Sequence, residues 1–258
     1  KSLVVRHEIP NVRIGPLGMS LMSSHIVRSY DAEFSELDRM TAQMGGLAEK
    51  LMADAFGALS RRDPKLAEIA AANDREIDRI ERQLQERAIT MIARRQPMAN
   101  DLRHIMTVLK IASDLERVGD LAKNIAKRAM VISSESYPQT LINGLKHMME
   151  LALRQTKDVL DAFGTRDSVK ADAVWRGDAG LDALYNSVFR ELLTYMMEDP
   201  RNITGCTHLL FIAKNVERMG DHATNIAETV HYQVKGTKLP DDRPKGNDPS
   251  FAIAEGHD

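Results

Sequence analysis

Cysteine is almost missing from the chain. Cys206 is the only one, so no internal disulfide can form and a reducing compartment is expected. Aromatic residues are scarce at 5%, while methionine reaches 14, a bias that suits helices better than sheets. Neither sign of charge dominates: 35 Lys+Arg face 37 Asp+Glu, for a net charge of −2. That balance excludes the basic domain typical of a sequence-independent nucleic-acid binder. Long hydrophobic runs are absent too. Stretches such as Leu209-Leu-Phe-Ile-Ala213 fall far below the ~20 residues of a membrane-spanning helix, and Lys1-Ser-Leu-Val-Val-Arg6 is too short an apolar run for a secretory signal. The expectation is a cytoplasmic protein with no nucleic-acid partner and at most a peripheral association with membranes.

What is present describes a globular chain: 43% apolar and 28% charged residues over 258 positions, too rich in buriable groups for disorder. Five of the nine prolines sit in the end segments, leaving Pro64, Pro97, Pro138 and Pro200 to punctuate the middle. The stretches between them read as six long helices, at roughly 31–60, 65–95, 99–132, 139–163, 169–198 and 203–235, with a break at 164–168. Asp63-Pro64 and Asp199-Pro200 have the form of an N-cap followed by proline in the first helical position. The fold class is all-α. Residues 1–23, with Met19 and Met22 as alternative starts, are set aside as a leader, and 236–258, rich in Pro, Gly and Asp, as a flexible tail.

An internal repeat is the most informative feature. Ile111–Ala126 and Ile212–Ala227, 101 positions apart, agree at ten of sixteen residues. A weaker match at an offset of 104 sets Asp74-x-x-x-Asp78 over Asp178-x-x-x-Asp182. The chain therefore divides into two three-helix units, 24–134 and 135–235.

The repeated residues are not the apolar ones that core duplication alone would keep. They form Glu116-x-x-x-Asp120-x-x-x-Asn124 and Glu217-x-x-x-Asp221-x-x-x-Asn225. A four-residue spacing stacks side chains one turn apart on one helical face. On a random helix such charges usually form a solvated face. Here the pairs are acid on acid, which repel by a few tenths of a kcal/mol without a neutralising cation, and each ladder continues an apolar stripe (Leu109 and Ala112; Leu210 and Ala213). Gly119 and Gly220 beside the ladders allow a neighbouring backbone or ion to come close. Clustered carboxylates in a partly buried place must be protonated or hold a cation. Oxygen donors favour hard ions: magnesium, calcium, manganese or ferric iron. One metal site, of one or several ions, is thus expected in each half.

A di-iron oxidase needs two Glu-x-x-His motifs, and only Glu228-x-x-His231 has that spacing. His222, whose counterpart is Leu121, reads as a surface or structural histidine.

Two copies of Glu-Arg-(Val/Met)-Gly-Asp-x-x-x-Asn-Ile, each closing a three-helix unit, resemble the PhoU family of phosphate-signalling regulators. Met44-Gly-Gly-Leu, Arg94-Arg-Gln-Pro-Met-Ala-Asn-Asp-Leu-Arg103, Asp158-Val-Leu-Asp-Ala-Phe163 and Thr194-Tyr-Met-Met-Glu-Asp199 extend the likeness over about 24–236. The resemblance implies two tandem three-helix bundles related by pseudo-twofold symmetry. It implies metal ligands at Asp74, Asp78, Glu116, Asp120 and Asn124, and at Asp178, Asp182, Glu217, Asp221 and Asn225, with Arg117 and Arg218 in supporting or interface positions. Iron or zinc fills such motifs in some family members, magnesium or no evident metal in others. It further implies a non-enzymatic cytoplasmic adaptor, often at the inner face of the membrane and here expected as a homodimer. Such an adaptor links the ATPase of the phosphate ABC transporter to a sensor histidine kinase and holds the starvation response off. The other readings are a metal-storage or redox metalloprotein and the accessory protein of a low-affinity phosphate permease. Asp114, which becomes Asn215 in the second copy, marks the halves as inequivalent.

Overall fold

Proline and aspartate set the helix boundaries in the computed structural model, which describes residues 16–135 and 137–240. The helices are α1 (Pro16–Arg61), α2 (Pro64–Arg95), α3 (Asn100–Val131), α4 (Gln139–Thr165), α5 (Ser168–Arg176), α6 (Asp178–Glu198) and α7 (Ile203–Lys235). Asp63 caps α2, its carboxylate accepting from the Lys65 and Leu66 amides at 3.0 and 3.1 Å with Pro64 in the first turn. Asp167 does the same for α5. Asp199 caps a 3-10 turn, Pro200–Asn202, that leads into α7. Every described element is helical, as the periodicity predicts. The leader residues 1–15 and the tail residues 241–258 lie outside the described residues. Residues 16–23 belong to α1.

The expected fifth helix is in two pieces. Gly177 interrupts it: its N–H bonds back to the Ala173 and Val174 carbonyls, and its own carbonyl accepts from Gln155 Nε2 at 3.3 Å. Asp178 therefore opens a new helix, whereas its counterpart Asp74 lies inside the continuous α2.

By internal contacts the chain separates at Glu36. In the described part of the first unit, Tyr30 and Phe34 meet edge-on, with ring centroids 4.9 Å apart. The second unit runs from Leu37 onward and holds both copies of the repeat. Its centre is the pair α3 and α7. α2 packs on α3, while α4, α5 and α6 pack on α7. The two central helices are antiparallel: Arg103 near the start of α3 lies over Tyr232 near the end of α7, and Arg128 near the end of α3 lies over Phe211 near the start of α7. Ile105, Val108, Ile111, Ala112, Leu115 and Val118 of α3 are fully buried at helical spacing, as are Leu209, Ile212, Ala213, Val216 and Met219 of α7.

Candidate functional site

Glycine fixes how the acid ladders meet their neighbours. A Cβ built on Gly119 would lie 2.9 Å from Ile77 of α2, and one on Gly220 would lie 2.3 Å from Leu181 of α6. Ile77 and Leu181 are themselves 104 positions apart, so both offsets of the repeat meet in one equivalent packing pair. The bare helix backbone beside each ladder is filled by an apolar side chain, and this close approach sets Asp74 against α3 and Asp178 against α7.

In the first half the cluster comprises Asp74, Asp78, Glu116 and Asp120, with Glu81 one turn beyond Asp78. Asp74 is 2% exposed. The cation between these acids is a protein group. Lys123 donates through Nζ to Asp74 Oδ2 and to Asp120 Oδ1, both at 2.5 Å. Burial disfavours the Lys123 ammonium, but the hydrogen bonds to Asp120 and Asp74 overcome it and raise its affinity for the proton. Burial pushes the Asp74 carboxyl up, partly offset by Lys123. Asp74 Oδ1 is buried without a hydrogen-bond donor. Glu116 is pushed up to about 7, by burial first and by the neighbouring Asp120 charge second, against the pull of Arg117. Arg117 lies 3.4 Å from Glu116 and 3.6 Å from Asp120, on the solvent side. Glu81 is raised by burial and by Asp78.

The second half solves the same problem differently. The position of Lys123 is taken by Thr224, whose hydroxyl lies 3.2 Å from Asp178 Oδ1 and 3.1 Å from the Gly220 carbonyl. Asp178 is as buried as Asp74, at 2%. It sits in the first turn of α6, where the helix N-terminus favours negative charge. The lysine of this half is Lys214, three residues before Glu217, and it donates to Glu217 Oε1 at 2.8 Å. Burial raises the Glu217 carboxyl, with Asp221 and Asp182 adding to the rise against Lys214. Glu217 Oε2 is buried and accepts no hydrogen bond. Tyr185 stands where the first half has Glu81, with the Lys214 ammonium 5.2 Å from its ring centre.

The expected ligands are thus brought together in part. The Asp and Glu members of each half share one cluster, but among the described residues no three His, Cys, Asp or Glu side chains converge as metal ligands. Asn124 is exposed. Asn225 turns to the other half, with Nδ2 3.5 Å from Asp114 Oδ1, which also meets His222 Nδ1 at 2.9 Å. His222 is thus a structural histidine joining α7 to α3, and the substitution of Asp114 by Asn215 has its partner in the substitution of Leu121 by His222. Arg218 is exposed. Glu228 and His231 are held by α5: Trp175 Nε1 donates to Glu228 at 3.2 Å, and His231 meets Asp172 at 2.6 Å. Lys123, Thr224, Lys214 and Glu81 were not among the expected residues. The signal for them lay in the positions where the two copies of the repeat differ.

The PhoU domain model matches twice, over 41–129 and 145–230. A phosphate-specific transport system accessory protein PhoU homolog of Rhizobium meliloti is 53% identical over 222 residues, 86% of this chain and 94% of that protein. A Caulobacter vibrioides homolog of the same name is 48% identical over 87% of this chain and 97% of its own length. The crystal structure of PhoU from Pseudomonas aeruginosa superposes with a TM-score of 0.78 at 38% identity, covering 81% of this chain and all of that one. The chain belongs to the PhoU family, whose members are accessory regulatory proteins and not enzymes. No described helix is long and apolar enough to cross a membrane.

Proposed function

We propose that this chain is a cytoplasmic negative regulator of phosphate uptake and of phosphate-starvation signalling. It works as an adaptor between the ATPase of a phosphate ABC transporter and a sensor histidine kinase, as a homodimer. The observation that supports this reading most is the doubled PhoU repeat, shared over nearly the full length of relatives named as phosphate-specific transport accessory proteins. Deleting the gene should release alkaline phosphatase from repression in phosphate-rich medium, and tagged protein should pull down the ATPase and the kinase. Phosphatase that stays repressed in the deletion strain would count against the reading.

Metal enters the proposal unequally. The first cluster fits an ammonium ion, because Lys123 already bridges Asp74 and Asp120. The second fits a hard cation better on one ground: Thr224 brings a hydroxyl to Asp178 where Lys123 brings an ammonium to Asp74, while Lys214 donates to Glu217 Oε1 and leaves Glu217 Oε2 buried without a donor. Asp178, Asp182, Glu217 and Asp221 would hold the ion once their side chains turned toward one another, and it would neutralise the cluster and brace α6 against α7. Elemental analysis of protein purified without added metal tests this, with Glu217→Gln expected to lower the content and Glu116→Gln to leave it unchanged. The redox alternative has less support, since Glu228 and His231 are committed to Trp175 and Asp172.

A further inference from the structure

At the end of the central helix pair where α3 begins and α7 ends, a groove of about 910 Å³ opens. Its ionisable lining is mostly cationic: Arg103, Lys110 and Lys238 face a single acid, Glu228, which already accepts from the Trp175 indole. Its floor is apolar and open, with Met106 54% and Tyr232 41% exposed. The Arg103 guanidinium lies 5.4 Å from the centre of the Tyr232 ring. Gly236 makes this end possible in two ways. Its φ of 74° closes α7 with the Gly236 N–H on the Tyr232 carbonyl, and a Cβ there would come within 2.9 Å of Arg103 Nη1. The reversal at Gly236 carries Lys238 back to the groove wall.

A ligand that matches this lining brings both acids and an apolar side. Two turns of helix, about seven residues, rise ~11 Å along such a groove. A trough between two antiparallel helices, floored by a pliable methionine, is the shape that an amphipathic helix enters. The concavity argues against a flat lipid surface. We propose that this groove docks a short acidic, amphipathic helix of a partner protein. The inference rests on the adaptor reading above and supplies one of its docking surfaces.

The probe is a fluorescein-labelled 16-residue helical peptide with a leucine stripe flanked by glutamates, titrated by anisotropy against the full chain. Binding is expected to weaken at least tenfold in Lys110→Glu/Lys238→Glu and in Met106→Ser. Phe211→Ser, at the opposite end of the helix pair where Arg128 stacks on the ring at 4.2 Å, should leave it unchanged. Circular dichroism melts confirm that each variant is folded. The proposal is overturned if a lysine-flanked peptide with the same stripe binds as well, or if the charge reversals have no effect. It is equally overturned if vesicles containing phosphatidylserine bind through these residues and the peptide does not. It also fails if deletion of residues 241–258 raises peptide affinity tenfold, which would make the chain's own acidic end the occupant. The two levels separate in cells. If deletion of the gene derepresses phosphatase and the Lys110→Glu/Lys238→Glu chain restores repression fully, the groove proposal falls and the regulatory reading stands.

Discussion

Lys123 and Thr224 occupy the same register of the repeat, yet one brings a full charge to a buried carboxylate and the other only a hydroxyl. Removing one partner of a buried ion pair leaves the other charge uncompensated, at a cost of ~3–5 kcal/mol when both are fully buried. Lys123 keeps about a quarter of its side chain in solvent, so Lys123→Met should cost roughly 2–3 kcal/mol. Adding Asp74→Asn should recover much of that loss, and urea titration of the single and double variants measures both. Glu116 provides the pH test. Its carboxyl titrates near 7 in the fold against an ordinary ~4.3, so between those values the native state holds a proton that the unfolded chain has lost. Stability from this group is complete below ~4.3 and falls as pH rises to about 7. In chelator-treated protein, Glu116→Gln should raise the melting temperature at pH 8 and change it little at pH 4. An equal shift at both pH values would remove burial of the charged form as the cause.

At the scale of helices, glycine has opposite meanings at two sites. Gly220 admits Leu181 where a Cβ would lie 2.3 Å away, while Gly46 on α1 has nothing within 4 Å of its Cβ position. Gly220→Ala should destabilise by ~1–3 kcal/mol through overpacking and be relieved by a second change, Leu181→Ala. Gly46→Ala should be neutral or stabilise by up to ~1 kcal/mol, because glycine is a poor helix interior residue. Thermal melts of the three variants decide between these outcomes. Helix positions were legible from prolines, caps and apolar spacing, since those signals are local. The break at Gly177 was not. One glycine in a helical pattern is ordinarily tolerated, and the break here goes with a tertiary contact that spacing does not show: the Gly177 carbonyl accepts from Gln155 Nε2 as well as from the Gly180 N–H. The acid ladders were legible from spacing because a period of four is itself geometric. Their cations were not, because a lysine three residues past an aspartate looks the same on a surface helix as between two helices.

At the scale of the whole chain, α3 and α7 bind the two copies of the repeat into one unit through residues such as Asp114, His222 and Asn225. Unfolding of the second half should therefore take the first with it. Trp175 is the only tryptophan and is buried in the second half, so its fluorescence reports that half alone. Its urea midpoint should coincide with that of far-ultraviolet circular dichroism, which sees every helix. Separate midpoints would show two independently folding halves. The sequence division at 134 follows the repeat, whereas α3 and α7 pack together across it, because a repeat offset says nothing about which helices meet.

A lysine on the same helix as Asp120 and one glycine-lined step from Asp74 is a tethered counter-ion. Its local concentration is set by the covalent chain and cannot be diluted, whereas a free ion must compete at whatever level the surroundings supply. The first cluster is accordingly insulated from the ionic make-up of the medium, whereas in the second the tethered lysine, Lys214, bonds Glu217 and the buried Asp178 meets the Thr224 hydroxyl.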